Sequence, residues 1–190
     1  MKLKSSSLLL ALLISFFLVT GCRQSVQLSL PLSKSYFTKA NIWYQQPKIW
    51  SSNFKAGSIL PAGTKISSLT LHKGRYHAIE FTTADNKTYW LYLAPKFDPG
   101  LSLEELQQRL FGSKNFSELT RGLSSAEVTA IKQGQVAKGM SKAAVLVSWG
   151  YPPTALTPSP KAHKWTFWKS RFDKQNIFFD SKGRVADIVD

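Results

Sequence analysis

The chain has 190 residues, 43% of them hydrophobic and 13% aromatic, with one cysteine and 25 Lys+Arg against 11 Asp+Glu. That length suits one ordinary domain or two small ones; the composition is too apolar for disorder, and a single thiol excludes a disulfide scaffold. The formal charge of +14 calls for an anionic partner, and the compartment decides which.

Lys2 and Lys4 form a basic start, and Leu8 to Val19 is apolar apart from Ser15. At about 1.5 Å per residue this run is too short to cross a bilayer core and reads as the apolar centre of an export signal. It ends in Val19-Thr20-Gly21-Cys22, which resembles the bacterial lipobox, and the only cysteine falls where that motif places the acylated residue. The resemblance implies a signal peptide over residues 1–21, a lipidated Cys22 and, with Arg23 rather than Asp behind it, a chain anchored in the outer membrane and facing the periplasm. Cleavage would remove two lysines and leave a formal +12. Nucleic acid then drops out, and anionic lipid headgroups, cell-wall carboxylates and acidic proteins remain.

Residues 22–35 are polar and rich in Ser and Gln, and read as a tether. Residues 36–95 are strand-like. Ile42 to Tyr44, Ile49-Trp50, Ile66 to Leu71, Tyr76 to Thr82 and Thr88 to Leu93 are β-branched or aromatic runs between turn signals at Gln46-Pro47, Leu60 to Gly63, Lys73-Gly74 and Asp85-Asn86. Alternation places His77, Ile79 and Phe81 on one face, and Tyr89, Leu91 and Leu93 on one face. Five close strands suggest a small barrel, and Leu60 to Ile66 is similar to a turn of bacterial SH3-like modules.

Residues 96–122 carry a helix and a linker. Ser102 with Glu105 is a capping box, stapled by Leu101 and Leu106, and predicts a helix to Phe111 with Gly112 as its left-handed stop. Gly112 to Arg121 is polar and reads as linker. Residues 123–190 then read ααβββ. Ser124 with Glu127 opens a helix that ends near Gly134, and Ser141 caps a second over Lys142 to Trp149, closed by a left-handed Gly150 and Pro152-Pro153. Three strands follow at Lys164 to Ser170, Asn176 to Asp180 and Val185 to Val189.

Gly139-Met140-Ser141-Lys142, Val145, Gly150 to Pro153, Trp165 to Phe167, Ile177 to Phe179 and Gly183 to Val185 together resemble the SmpA/OmlA (BamE-like) family of outer-membrane lipoproteins. The resemblance implies two helices on one face of a three-stranded antiparallel sheet, with Gly139, Met140, Gly150, Pro152, Trp165, Phe179 and Gly183 as its structural motif. Two departures stand out: the extra domain before the family domain, and Ser148 where a helix leucine is usual. The expected fold is therefore α+β, a small SH3-like β-barrel joined by a helix and linker to a two-layer ααβββ domain.

No catalytic constellation is legible. His72, His77 and His163 lack partners at ligand spacing, although His72 and His77 could meet across a hairpin; no metal site, cofactor loop or nucleophile elbow is visible. A binding surface remains. If Trp165, Phe167, Ile177 and Phe179 face the helices, then Lys164, Thr166, Trp168 and Phe178 face away, among cations that include Lys169 and Arg171. Lys164, Trp168, Lys169, Arg171 and Phe178 are the candidate binding residues, unless Trp168 and Phe178 bury instead against the N-terminal domain. The expected function is a non-enzymatic envelope adaptor, in β-barrel assembly or envelope maintenance, with an envelope protein as partner. The alternatives are a peptidoglycan-binding module and an inhibitor of a periplasmic enzyme.

Overall fold

The computed structural model describes residues 26–29, 35–45, 47–170 and 172–190. The export signal, Cys22, Arg23 and Arg171 lie outside the described residues. Within them the protein is α+β, mostly strand, with four helices.

The N-terminal half is a curled seven-stranded sheet. Its strands β1 (Val26–Ser29), β2 (Tyr36–Thr38), β4 (Lys48–Trp50), β6 (Lys65–Lys73), β7 (Ala78–Thr83), β8 (Thr88–Tyr92) and β9 (Phe111–Gly112) run in the order β4-β8-β7-β6-β2-β9, while β1 also pairs with β6. Among the described strands only β4 and β8 pair in parallel. The nine-residue β6 holds two strands on one edge, β2 at Lys65-Ile66 and β1 at Thr70 to Lys73. Alternation gives the sheet one apolar face: Ile79, Phe81 and Leu91 are fully buried, and Leu103, Leu106 and Leu110 of α1 (Leu103–Leu110) join the same core.

Several expectations need correction here. Part of the presumed tether is a strand, because Val26–Ser29 finds free backbone donors and acceptors along β6. His77 does not face the core with Ile79 and Phe81; it lies in the exposed turn before β7 begins at Ala78. Gly112 is not a left-handed stop. The helix ends because Phe111 is extended, with φ −131° and ψ 149°, and pairs with Thr38 of β2. Lys39 then supplies donors to the open carbonyls of the last turn, its amide to Leu110 at 2.7 Å and its Nζ to Gln108 at 2.6 Å.

The expected linker is also structured. Asn115 and Glu118 form a capping box for the single turn α2 (Phe116–Leu119). Phe116 sits directly over Gly63, whose φ is +80° and where a Cβ would meet the Phe116 Cβ at 2.6 Å. The turn at Leu60 to Gly63 therefore needs a glycine for both conformation and space.

The C-terminal half holds α3 (Ser125–Lys132), α4 (Lys142–Trp149) and the antiparallel sheet β10 (Lys164–Trp168), β11 (Lys174–Phe179), β12 (Val185–Val189) in that order. Trp165, Phe167, Ile177 and Phe179 are buried against Ile131 and Val145 of the helices. Ser148 is fully buried too. Its hydroxyl donates to the Gln135 carbonyl at 2.6 Å, so a polar side chain at a core position costs little. Gly150 has positive φ, as expected, but with ψ −169° it lies in the extended glycine-only region rather than the left-handed helical one.

The two halves interlock. The two-stranded ribbon of β3 (Ile42–Tyr44) and β5 (Ser58–Leu60) comes from the N-terminal half, yet Trp43 and Ala62 belong to the C-terminal core, with Ile59 packed beside them. Polar side chains from this ribbon and its loop reach the helix C-termini. Asn41 Nδ2 donates to the Ile131 carbonyl at 2.7 Å, and the Asn41 amide to that of Val147 at 3.0 Å. Lys55 Nζ donates to the Trp149 carbonyl at 2.8 Å, which Asn53 Nδ2 also approaches at 3.3 Å.

Candidate functional site

The C-terminal sheet presents the candidate surface. Pairing of Lys164 with Phe178, Phe178 with Asp187, and Asn176 with both Thr166 and Val189 sets these side chains on the face away from the helices. Phe178 is 39% exposed and Val189 43%, while Phe172, in the β10–β11 turn, is 84% exposed. Lys164 and Lys174 flank them, and neither forms an ion pair among the described residues.

Two candidates are committed elsewhere. Trp168 is only partly exposed and packs edge-on against Phe54 and Phe97, with centroids 6.3 and 5.7 Å away, while Lys174 Nζ lies 4.8 Å over its ring. It thus packs against the N-terminal half and is not a free anchor, whereas Phe178, which the alternative reading also placed there, is exposed. Lys169 Nζ bonds both carboxylate oxygens of Asp190 at 3.2 Å. The structure brings Lys164 and Phe178 together and adds Lys174, which alternation along β11 could have named, Phe172 from the turn, and Val189, whose face follows from the irregular register at Phe178/Phe179.

The motif residues form a support behind this sheet. The Gly139 amide donates to the Val185 carbonyl and the Val185 amide to that of Met140, both at 2.8 Å, while the Lys142 amide reaches Gly183. These bonds tie the start of β12 to the start of α4. Met140, Trp165, Phe179 and Pro152 are buried, and Gly139, Gly150 and Gly183 all have positive φ.

Glu127 is the centre of that support. Only 5% exposed, it closes its own capping box through the Ser124 amide at 2.9 Å and also accepts from the Ser141 amide and hydroxyl, both at 2.8 Å. Arg184 Nη1 adds an ion pair at 3.2 Å. Burial by itself would raise the carboxyl pKa, but the bonds from Ser141 and Ser124 outweigh it and hold the group at about 2. One carboxylate thereby caps two helices and clamps the β11–β12 turn.

Lys55 is the second unusual charge. Its ammonium lies 4.4 Å over the Trp43 ring, with Phe167 at 5.4 Å and Trp149 at 5.6 Å. Burial pushes its pKa well below the usual lysine value. Two backbone carbonyls, those of Asn53 and Trp149, accept hydrogen bonds from it. It is a clamp between the halves, held by ring faces and a helix C-terminus rather than by a carboxylate.

The histidines do not meet across the hairpin. His72 bonds Glu80 at 2.8 Å and packs on Trp90 with centroids 4.6 Å apart, while His77 is exposed in the turn. Among the described residues no three His, Cys, Asp or Glu side chains converge as metal ligands would. The chain matches no family model, no curated protein and no solved structure.

Proposed function

We propose that the protein is an outer-membrane lipoprotein anchored through acylated Cys22, with an SH3-like N-terminal β-domain and a BamE-like SmpA/OmlA C-terminal domain, and that it acts as a non-catalytic adaptor in β-barrel assembly or envelope maintenance. The observation that carries this reading is the outer face of the C-terminal sheet, where Phe178, Val189 and Phe172 are exposed beside Lys164 and Lys174. Exposed aromatics next to cations suit a partner that offers an apolar pocket rimmed by acids. Rigid backing suits the same role. Glu127 and the Gly139 to Val185 bonds fix the sheet on its helices, so a partner meets a preformed surface.

The test is affinity capture from crosslinked envelopes, comparing the parent with a Phe178→Ser, Lys164→Glu, Lys174→Glu variant. These changes leave the helix-facing side untouched and remove only the Lys174 contact over Trp168, so the melting temperature should fall little while the captured envelope protein is lost. A folded variant that retains every crosslink places the working surface elsewhere.

A further inference from the structure

The face of the N-terminal sheet opposite its core is unlike an ordinary solvated sheet surface. Strand pairing lays two rows across it. One runs Trp50, Tyr92, Ala78, His72 and Gln27; the other runs Lys48, Trp90, Glu80, Thr70 and Ser29. The rings form a continuous strip. Trp50 and Tyr92 have centroids 5.5 Å apart, Tyr92 and Trp90 6.3 Å at an interplanar angle of 23°, and Trp90 and His72 4.6 Å. Trp50 is 50% exposed, while Ala78, in the middle of its row, is only 2% exposed and covered by its neighbours.

We propose that this strip is a stacking platform for the glycan chain of peptidoglycan. A pyranose ring carries C–H groups on its faces and hydroxyl or amide groups around its rim, so it needs flat aromatic faces with polar side chains interleaved, and this face has that composition. Glu80 and His72, already bonded to each other at 2.8 Å, and Thr70 stand beside the rings as rim partners. The two rows contain no Leu, Ile, Val or Met, and Ala78 is their only aliphatic side chain. A protein partner would instead be expected to meet aliphatic side chains and a cavity for its anchors. Charge selects further. Lys48 in the second row and Arg75 in the adjoining β6–β7 turn are exposed, and neither is ion-paired among the described residues. They suit a cell-wall polymer, whose free carboxylates are carried by the stem peptides beside the glycan. The choice of cell-wall glycan over other sugars rests on the periplasmic placement proposed above; the stacking chemistry does not.

The experiment uses the chain from Arg23 onward, which keeps every described residue, with three probes: purified sacculi, the soluble tetramer of N-acetylglucosamine, and free stem peptide. The parent should sediment with sacculi and bind the tetramer. Trp50→Ala should weaken both by about tenfold or more, Trp50→Phe should restore most of the loss, and the melting temperature should stay at the parent value because Trp50 is half exposed. Trp90→Ala should act in the same direction, while Lys164→Glu on the other half should change nothing. Binding that survives Trp50→Ala and Trp90→Ala, or binding to stem peptide alone, overturns the platform. Tetramer binding through the rings without sedimentation on sacculi overturns the cell-wall assignment. If this chain binds neither sugar while the full-length protein, with Cys22, fractionates with the outer membrane, the inference is overturned and the anchor stands.

Discussion

Replacing Glu127 by Gln probes the joint that the C-terminal half depends on most. The parent carboxylate accepts from the Ser124 amide, the Ser141 amide and the Ser141 hydroxyl at 2.8–2.9 Å and pairs with Arg184. Gln keeps one acceptor oxygen but turns an NH₂ toward donors, so at least one helix N-terminus loses its partner. Hydrogen bonds to a charged group contribute about 1.5 to 3 kcal/mol, and loss of a helix cap costs about 1 kcal/mol, so destabilisation of about 3 kcal/mol is expected at pH 7. The pH dependence gives a second reading. The folded pKa of about 2 lies below the ordinary 4.5, so the carboxylate's contribution is complete above pH 4.5 and disappears as pH falls toward 2. The loss is at most about 3 kcal/mol, reduced by solvent screening because the group lies near the surface. Urea unfolding of parent and variant at pH 7, 4, 3 and 2.5 measures both, and the difference between them removes the other carboxylates. A variant within about 0.5 kcal/mol of the parent at pH 7, with the same slope in acid, would refute the double-cap reasoning.

Lys55 shifts stability with the same sign as Glu127, but in an alkaline window. Its folded pKa is depressed by burial, so between that value and 10.5 the unfolded chain binds more protons and stability rises with pH, by at most about 1.4 kcal/mol per pH unit. Lys55→Met should abolish that rise in alkaline unfolding curves and cost little at pH 7, whereas a variant with an unchanged slope would place the ammonium in water. Gly63→Ala should destabilise by about 2 to 4 kcal/mol in thermal melts. Phe116→Ala should not rescue it, because the added Cβ also meets the Phe116 backbone N at 2.7 Å and Cα at 2.9 Å; full rescue would contradict the close approach. Cys22→Ala should abolish labelled fatty-acid uptake and release the protein from the outer-membrane fraction, since several acyl chains hold where one binds marginally. Unchanged fractionation with no uptake in the parent would overturn the anchor.

Local signals carried far along this chain and long-range ones did not. The serine caps at Ser102, Ser124 and Ser141 were legible because a cap and its partner lie three residues apart. The same pattern at Asn115 and Glu118 was hidden only by the polar composition around it. Alternation paired the residues of β7 and β8 by face, and read to the end it would also have set Trp90 and Tyr92 opposite Leu91; for β10 and β11 the inward face was what the family resemblance implied. Strands β1, β2, β5 and β9 have two to four residues and owe their existence to edges supplied by distant strands. The seam of Asn41, Asn53 and Lys55 was illegible for the same reason, since each side chain finds its helix carbonyl about 90 residues away. Trp168 was ambiguous because alternation tells which way a side chain points and not what waits there.

A photo-crosslinking residue installed at Phe178 in living cells tests the adaptor reading most directly, with the same residue at exposed Ser181, in the β11–β12 turn beside that face, as a comparison. The account predicts a discrete crosslinked envelope protein at Phe178 that is lost when Lys164 and Lys174 are changed to Glu and is weaker from Ser181. No crosslink at Phe178, or an adduct indifferent to those two charges, would contradict it.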